Sequence, residues 1–340
     1  MCLIYLFLHI TIQANIIPHY HFKRLTSLEG LPCNDIQKIY QSPDGYIWLA
    51  SKNGFYRYDG YSFKTYKSNL YHPTLLSNNN ILCLEEDLEN RLWIGTDKGL
   101  NVLLRKTGEI KQIKRIEFIN NSISALRSTR NGKLFIGTDQ GLFCYDYNTD
   151  SCTLYNRQNT NGIFPETPVK SLLEDSHGHL WIGTWNQGLF RYDLAKNRFY
   201  AYPRMLPKSA HVIFEDSKKR IWIGTWGSGL YVLENAYDPD NVRWKSFSHE
   251  NGNAKSLPHD IIYSISEDIN SRNIWIGTSL GLSILNDESK GTFTNFYPSE
   301  KEETISDAEV TSLLCDKQGM MWIGMLRGGV NTVSTRKPFF

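Results

Sequence analysis

A chain of 340 residues with 41% hydrophobic and 13% aromatic residues can bury a large core, and its aromatic load suits pleated sheet. Thirty-seven Lys and Arg offset 35 Asp and Glu, leaving a net charge of +2. That balance excludes the strong positive field on which nucleic-acid and acidic-membrane binding depend. The two short basic runs, Lys218–Arg220 and Lys111–Arg115, fall at turns or edges and read as solvated surface.

In chain order, the first segment differs from the rest. Met1 to Ile12 is nearly continuous apolar sequence followed by Gln13-Ala14. It is too short to span a bilayer and fits the apolar region of a secretory leader, although no Lys or Arg precedes it. The expectation is a signal peptide at 1–14, export to the periplasm, and a single mature domain at 15–340. The six cysteines (Cys2, Cys33, Cys83, Cys144, Cys152 and Cys315) show no C-x-x-C and no zinc spacing. Cys144 and Cys152 flank a short turn, which leaves open either a disulfide or two separate thiols.

From residue 36 onward the chain repeats itself. Seven short runs share one pattern: Tyr46-Ile-Trp48, Leu92-Trp93-Ile-Gly95-Thr96, Leu134-Phe135-Ile-Gly137-Thr138, Leu180-Trp181-Ile-Gly183-Thr184, Ile221-Trp222-Ile-Gly224-Thr225, Ile274-Trp275-Ile-Gly277-Thr278 and Met321-Trp322-Ile-Gly324. The anchor aromatics are 45, 42, 46, 41, 53 and 47 residues apart, the period of a four-stranded propeller blade. An apolar run precedes each anchor, usually ending in Asp and turn residues. A glycine and an apolar residue follow each anchor, and then a segment with bulky residues three apart. Each unit therefore predicts strand A, a turn, strand B carrying the anchor, a glycine turn, strand C, a turn and strand D. The continuous apolar character of strand B predicts burial on both faces. Trp48, Trp93, Trp181, Trp222, Trp275 and Trp322 are expected to fill the wedges between blades. Gly95, Gly183, Gly224 and Gly277 are expected to permit close backbone approach.

The unit count predicts how the ring closes. Seven A, B and C strands are followed by only six D strands, and the missing one lies at the other end, in His21-Phe22-Lys-Arg-Leu25. The fold predicted is all-β: a seven-bladed propeller of four-stranded antiparallel blades, its N-terminal strand completing the last blade. Closure of this kind removes exposed sheet edges.

These units resemble the two-component regulator propeller repeat. The resemblance rests on Leu92-Trp-Ile-Gly-Thr-Asp-Lys-Gly-Leu-Asn101, on Asp59-Gly60-Tyr-Ser-Phe63 and on Leu76-Ser-Asn-Asn-x-Ile81, and it covers residues 19 to 335. It implies a periplasmic sensor of a hybrid two-component system, a class that commonly recognises oligosaccharides and controls genes for glycan use. Full-length members carry two propellers in tandem, a β-sandwich, one membrane helix, a kinase, a receiver and a DNA-binding domain. The chain is thereby expected to represent the first propeller. The implied partners are a second propeller, a homodimer mate in the full-length receptor and an oligosaccharide; no cofactor and no bound nucleic acid are implied.

Antiparallel connectivity places the B–C turns and the D–A connections on one face. The D–A connections at 67–80, 156–168, 248–260 and 298–309 are long and varied, and variable loops on a rigid scaffold are where binding usually resides. The B–C turns on that face present Lys98, Asp139, Gln140, Trp185, Asn186, Gln187, Trp226 and Arg327. Two tryptophans in adjacent turns, beside amide and charged side chains, suit the apolar C–H face and hydroxyl rim of a sugar. These eight residues are the candidate ligand site, at the mouth of the central channel. Two rival readings stand beside it: a propeller that only spaces or dimerises, and a propeller-type glycan lyase or hydrolase. Against the second, the histidine pair His177 and His179 lies in an A–B turn on the opposite face, with no third ligand nearby in sequence.

Overall fold

The computed structural model describes residues 20–68, 75–202, 209–299 and 304–336. The leader expected at 1–14 lies outside these residues, as do parts of the connections at 67–80 and 298–309. The described chain forms seven four-stranded antiparallel sheets. In blade 1, strands A to D are Ile36–Gln41, Ile47–Ser51, Gly54–Tyr58 and Phe63–Tyr66. The same order recurs down to blade 7, where Val310–Cys315, Met320–Met325 and Val330–Ser334 supply A, B and C. The fourth strand of blade 7 is Lys23–Leu25, in antiparallel register Lys23↔Thr332, Arg24↔Asn331 and Leu25↔Val330. The predicted closure is therefore the observed one. The A strands of successive blades neighbour one another around the ring, and that of blade 7 neighbours that of blade 1. Among described residues the helical content is one 3-10 turn, Ser27–Glu29, capped reciprocally by Thr26 and Glu29.

The core is seven wedges, one between each pair of blades. Strand B is buried throughout in blades 1, 3, 5 and 6 and contributes its anchor to a wedge. Trp48, Trp93, Trp181, Trp222 and Trp275 are fully buried. Trp322 is only partly buried, with the Tyr58 ring edge-on at 6.1 Å. The glycine after the anchor is required by the next blade: a Cβ on Gly277 would sit 2.5 Å from the Val310 carbonyl oxygen and against Ser264 of its own blade.

In four blades a carboxylate ties the A–B turn to the anchor. The indole N–H of Trp93, Trp181, Trp222 and Trp322 donates to Asp87, Asp175, Asp216 and Asp316 at 2.7–2.9 Å. The other oxygen of each Asp accepts two backbone amides of the turn, as Asp216 does from Lys218 and Arg220. In blade 1 the acceptor is the Ser42 hydroxyl, at 3.2 Å from Trp48. In blade 3, Phe135 has no N–H to donate, and Thr129 occupies the turn position.

Cys144 and Cys152 are free thiols. Cys152 pairs with Tyr145 and Cys144 with Thr153, so the two sulfurs lie on opposite faces of the sheet, in different wedges. A disulfide between them is geometrically excluded. His177 and His179 hold structural positions: His177 Nδ1 lies 2.9 Å from the Tyr237 hydroxyl, and His179 Nδ1 lies 3.3 Å from Asp175.

Candidate ligand site at the channel mouth

Backbone hydrogen bonds tie the B–C turns to the ends of the D–A connections: Asp97 N–H to the Asn80 carbonyl, Trp185 to Pro168, Ser279 to Ile261 and Leu326 to Glu309. Both sets of loops therefore surround one mouth of the channel, which encloses about 590 Å³.

The wall of that channel comes from strand A. In six blades the ladder between strands A and B is interrupted by a bulge one residue into strand A. A bulge re-aims a side chain locally. The bulged residues are Gln37, Leu82, Ser124, Lys170, Tyr263 and Thr311. They line the channel together with His211, which holds the corresponding place in blade 5.

Trp226 lies over this ring. Its side chain is 41% exposed, that of Trp185 is 39% exposed, and their ring centroids are 5.3 Å apart at 57°. His211 meets the Trp226 ring edge-on at 5.1 Å, and Tyr263 does so at 5.6 Å. The Lys170 ammonium stands 5.8 Å from the Trp185 ring centroid and pairs with Asp139 at 2.9 Å. On the other flank the Tyr263 hydroxyl reaches Glu309 at 3.5 Å, and Glu309 accepts from Arg327 at 3.0 Å. One arc of contacts thus runs through five successive blades: Asp139, then Lys170 and Trp185, then Trp226 and His211, then Tyr263, then Glu309 and Arg327.

Not all eight candidates share that arc. Asn186 Oδ1 accepts from the Thr167 hydroxyl at 2.8 Å, and the Gln187 amide is held by Thr184 Oγ1. Lys98 and Gln140 line separate hollows on the outer side of blades 2 and 3, of about 340 and 520 Å³. Sequence reasoning missed the strand-A contributors Lys38, Lys170, His211, Tyr263 and Glu309. Their signal was faint, because a bulged strand inside an apolar run gives no periodicity to read.

Two groups in the channel are electrostatically unusual. Burial, reinforced by Lys170 and Lys38, pushes the His211 imidazole down to about 4, so it is neutral at pH 7. Its Nδ1 is buried with no hydrogen-bond partner. The channel walls likewise lower the Lys38 ammonium by desolvation, with Arg127 opposing its charge and Glu85 favouring it, while the residue itself stays exposed to solvent. Deeper in the wall, Arg127 pairs with Glu85 at 3.2 Å.

The two-component regulator propeller family model matches the chain at residues 30–53, 75–98, 163–186, 205–227, 256–279 and 304–327. No curated relative matches the sequence. Among solved structures the chain is similar to the extracellular domain of a hybrid two-component system from B. thetaiotaomicron, at 24% identity and a TM-score of 0.77 over 94% of this chain and 42% of that one. A second such domain from the same organism matches at 21% identity and 0.74, over 94% and 40%. The chain therefore spans about two-fifths of the length of these domains. A streptogramin B lyase shares the fold at 13% identity and 0.69, over 93% of this chain and 97% of the lyase.

Proposed function

Because the chain is built from two-component regulator propeller repeats, we propose that it is a ligand-binding sensor propeller that recognises an oligosaccharide in the periplasm and passes the signal to a kinase outside this chain. The observation that carries this reading is the pair of half-exposed tryptophans, 5.3 Å apart at the channel mouth, flanked on both sides by polar groups already fixed by ion pairs. Large exposed rings at a concave opening are costly unless something covers them, and a pyranose face covers them well. The flanking Lys170–Asp139 and Arg327–Glu309 pairs fix donors and acceptors at the rim, where sugar hydroxyls need them. On this reading the domain binds and releases its ligand without turnover. Its location follows that of the extracellular domains it is similar to. The leader at 1–14, a second propeller and a homodimer mate complete the proposal.

The test is a thermal-shift and titration screen of residues 15–340 against an oligosaccharide panel. A binding sugar raises the unfolding temperature by mass action. Trp185→Ala and Trp226→Ala are each expected to weaken binding at least tenfold, with unchanged far-UV circular dichroism. Unchanged affinity in both variants overturns the site, and product release from any panel member overturns the non-enzymatic reading.

A further inference from the structure

Three aromatic rings stand in file across the channel mouth, one from each of three successive blades. Trp185 and Trp226 come from the B–C turns of blades 4 and 5, and Tyr263 comes from the bulge in strand A of blade 6. The Trp226 centroid lies 5.3 Å from that of Trp185 and 5.6 Å from that of Tyr263. Each step is close to the length of one pyranose residue along a chain. All three rings keep surface open to solvent: the tryptophans are half-exposed, and Tyr263 is partly exposed where it lines the channel.

The backbone holds this file in place. The Trp185 amide donates to the Pro168 carbonyl and the Trp226 amide to the Ser209 hydroxyl, and Trp226 forms a β-bridge with Ile261, two residues before Tyr263. Polar groups close both ends. Past Trp185 stands Lys170, paired with Asp139, and past Tyr263 stands Glu309, paired with Arg327. The apolar stretch is therefore three rings long, with a charged pair at either end to meet hydroxyls.

The rings also turn along the file. Trp226 is inclined by 57° to Trp185 and by 67° to Tyr263. A flat two-fold ribbon, such as a β-1,4-linked glucan, presents its sugar faces in one plane and can lie on only one of these rings at a time. A bent chain, in which each sugar is turned from the last, can set a C–H face against each ring in succession.

We propose that the ligand lies lengthwise across the mouth and is a bent-chain pyranose oligosaccharide, with three consecutive sugars on Trp185, Trp226 and Tyr263. This inference rests on the saccharide reading above and adds chain length and linkage class. Trp226 is the central subsite.

The experiment titrates the protein with ladders of one to six sugars in two bent series, malto- and laminari-oligosaccharides, and two flat ones, cello- and β-1,4-manno-oligosaccharides. A bent series is expected to bind, with affinity rising at least tenfold from disaccharide to trisaccharide and no more than threefold for each sugar beyond. Flat chains of the same length should bind at least tenfold more weakly. Tyr263→Ala should abolish the step while leaving the disaccharide's affinity within twofold, and Tyr263→Phe should keep it. Trp226→Ala should weaken every length. The wild-type ladders alone decide length and linkage, whatever the stability of the variants. A disaccharide that binds as tightly as the trisaccharide, or a flat series that binds as tightly as a bent one, overturns this inference and leaves the saccharide site standing. The same holds if none of the four ladders binds while another sugar of the screening panel does. If no sugar of either set binds, both readings fall.

Discussion

At the scale of single residues, the bond from indole N–H to carboxylate is the device that fixes the A–B turn over its blade in blades 2, 4, 5 and 7. Spacing governs it. Asp and Trp are six residues apart wherever the bond forms, at 87/93, 175/181, 216/222 and 316/322. In blade 6 the turn is one residue longer, closed by Asp268 N–H to the Asn273 carbonyl, and Asp268 stands seven residues from Trp275. Its oxygens accept from Asn270, Ser271 and Thr335 instead, and the Trp275 indole N–H is buried without a partner. Trp222 and Trp275 thus form a matched pair, both fully buried and differing in that bond. A hydrogen bond to a charged acceptor contributes about 1.5–3 kcal/mol, and an orphaned buried N–H costs a comparable amount. Trp222→Phe should therefore destabilise the protein by about 2 kcal/mol more than Trp275→Phe, since both leave a similar void. Urea denaturation midpoints of the two variants check this, and equal losses would show that the bond adds nothing.

At the scale of the strand, strand B was the most legible element and strand A the least, and packing explains both. Strand B lies between two neighbouring blades, so its residues are apolar without alternation, and a bulky anchor followed by glycine marks each copy. That run also specified Trp185 and Trp226, because a tryptophan in a turn stands out from the small polar residues around it. Strand A was read as one more apolar run. Its bulges turn Gln37, Leu82, Ser124, Lys170, Tyr263 and Thr311 toward the channel, and a one-residue irregularity leaves no mark in single-sequence periodicity. Half of the channel-mouth arc was consequently invisible. The glycine of strand B offers a direct check on this packing. Gly277 faces the Val310 carbonyl oxygen of the next blade, and backbone cannot retreat as a flexible side chain can. Gly277→Ala should cost about 3 kcal/mol through overpacking. Ala50, at the same register position in blade 1, is tolerated opposite Lys38, whose side chain has left for the channel. A Gly277→Ala protein with an unchanged denaturation midpoint would contradict the close approach between blades 6 and 7.

At the scale of the ring, stability depends on joining two distant parts of the chain. Lys23–Leu25 covers the edge of Val330–Ser334, and the residues just before it anchor the seam. Phe22 is buried in the wedge between blades 6 and 7, while Tyr20 meets Trp275 edge-on at 5.2 Å and Phe296 at 5.8 Å. Without this segment, Val330–Ser334 would present an unpaired strand edge and the wedge would lose its aromatic cover, which together invite self-association. Deleting residues 1–25 should therefore produce larger, concentration-dependent species on size-exclusion chromatography than the undeleted chain gives, and broaden thermal unfolding. The seam also predicts its own rescue. Strand Lys23–Leu25 runs antiparallel to Val330–Ser334, so residue 20 lies near the end of the ring that residue 336 reaches. Moving residues 20–26 to follow residue 336 through a short turn would make blade 7 contiguous, in the order A, B, C, D used by the other six. Such a permutant keeps every strand pairing and changes only the connectivity. It should recover the elution volume of the undeleted chain and the sharp transition lost on deletion. A permutant that still self-associates would mean that the segment acts through something other than completing the seventh sheet.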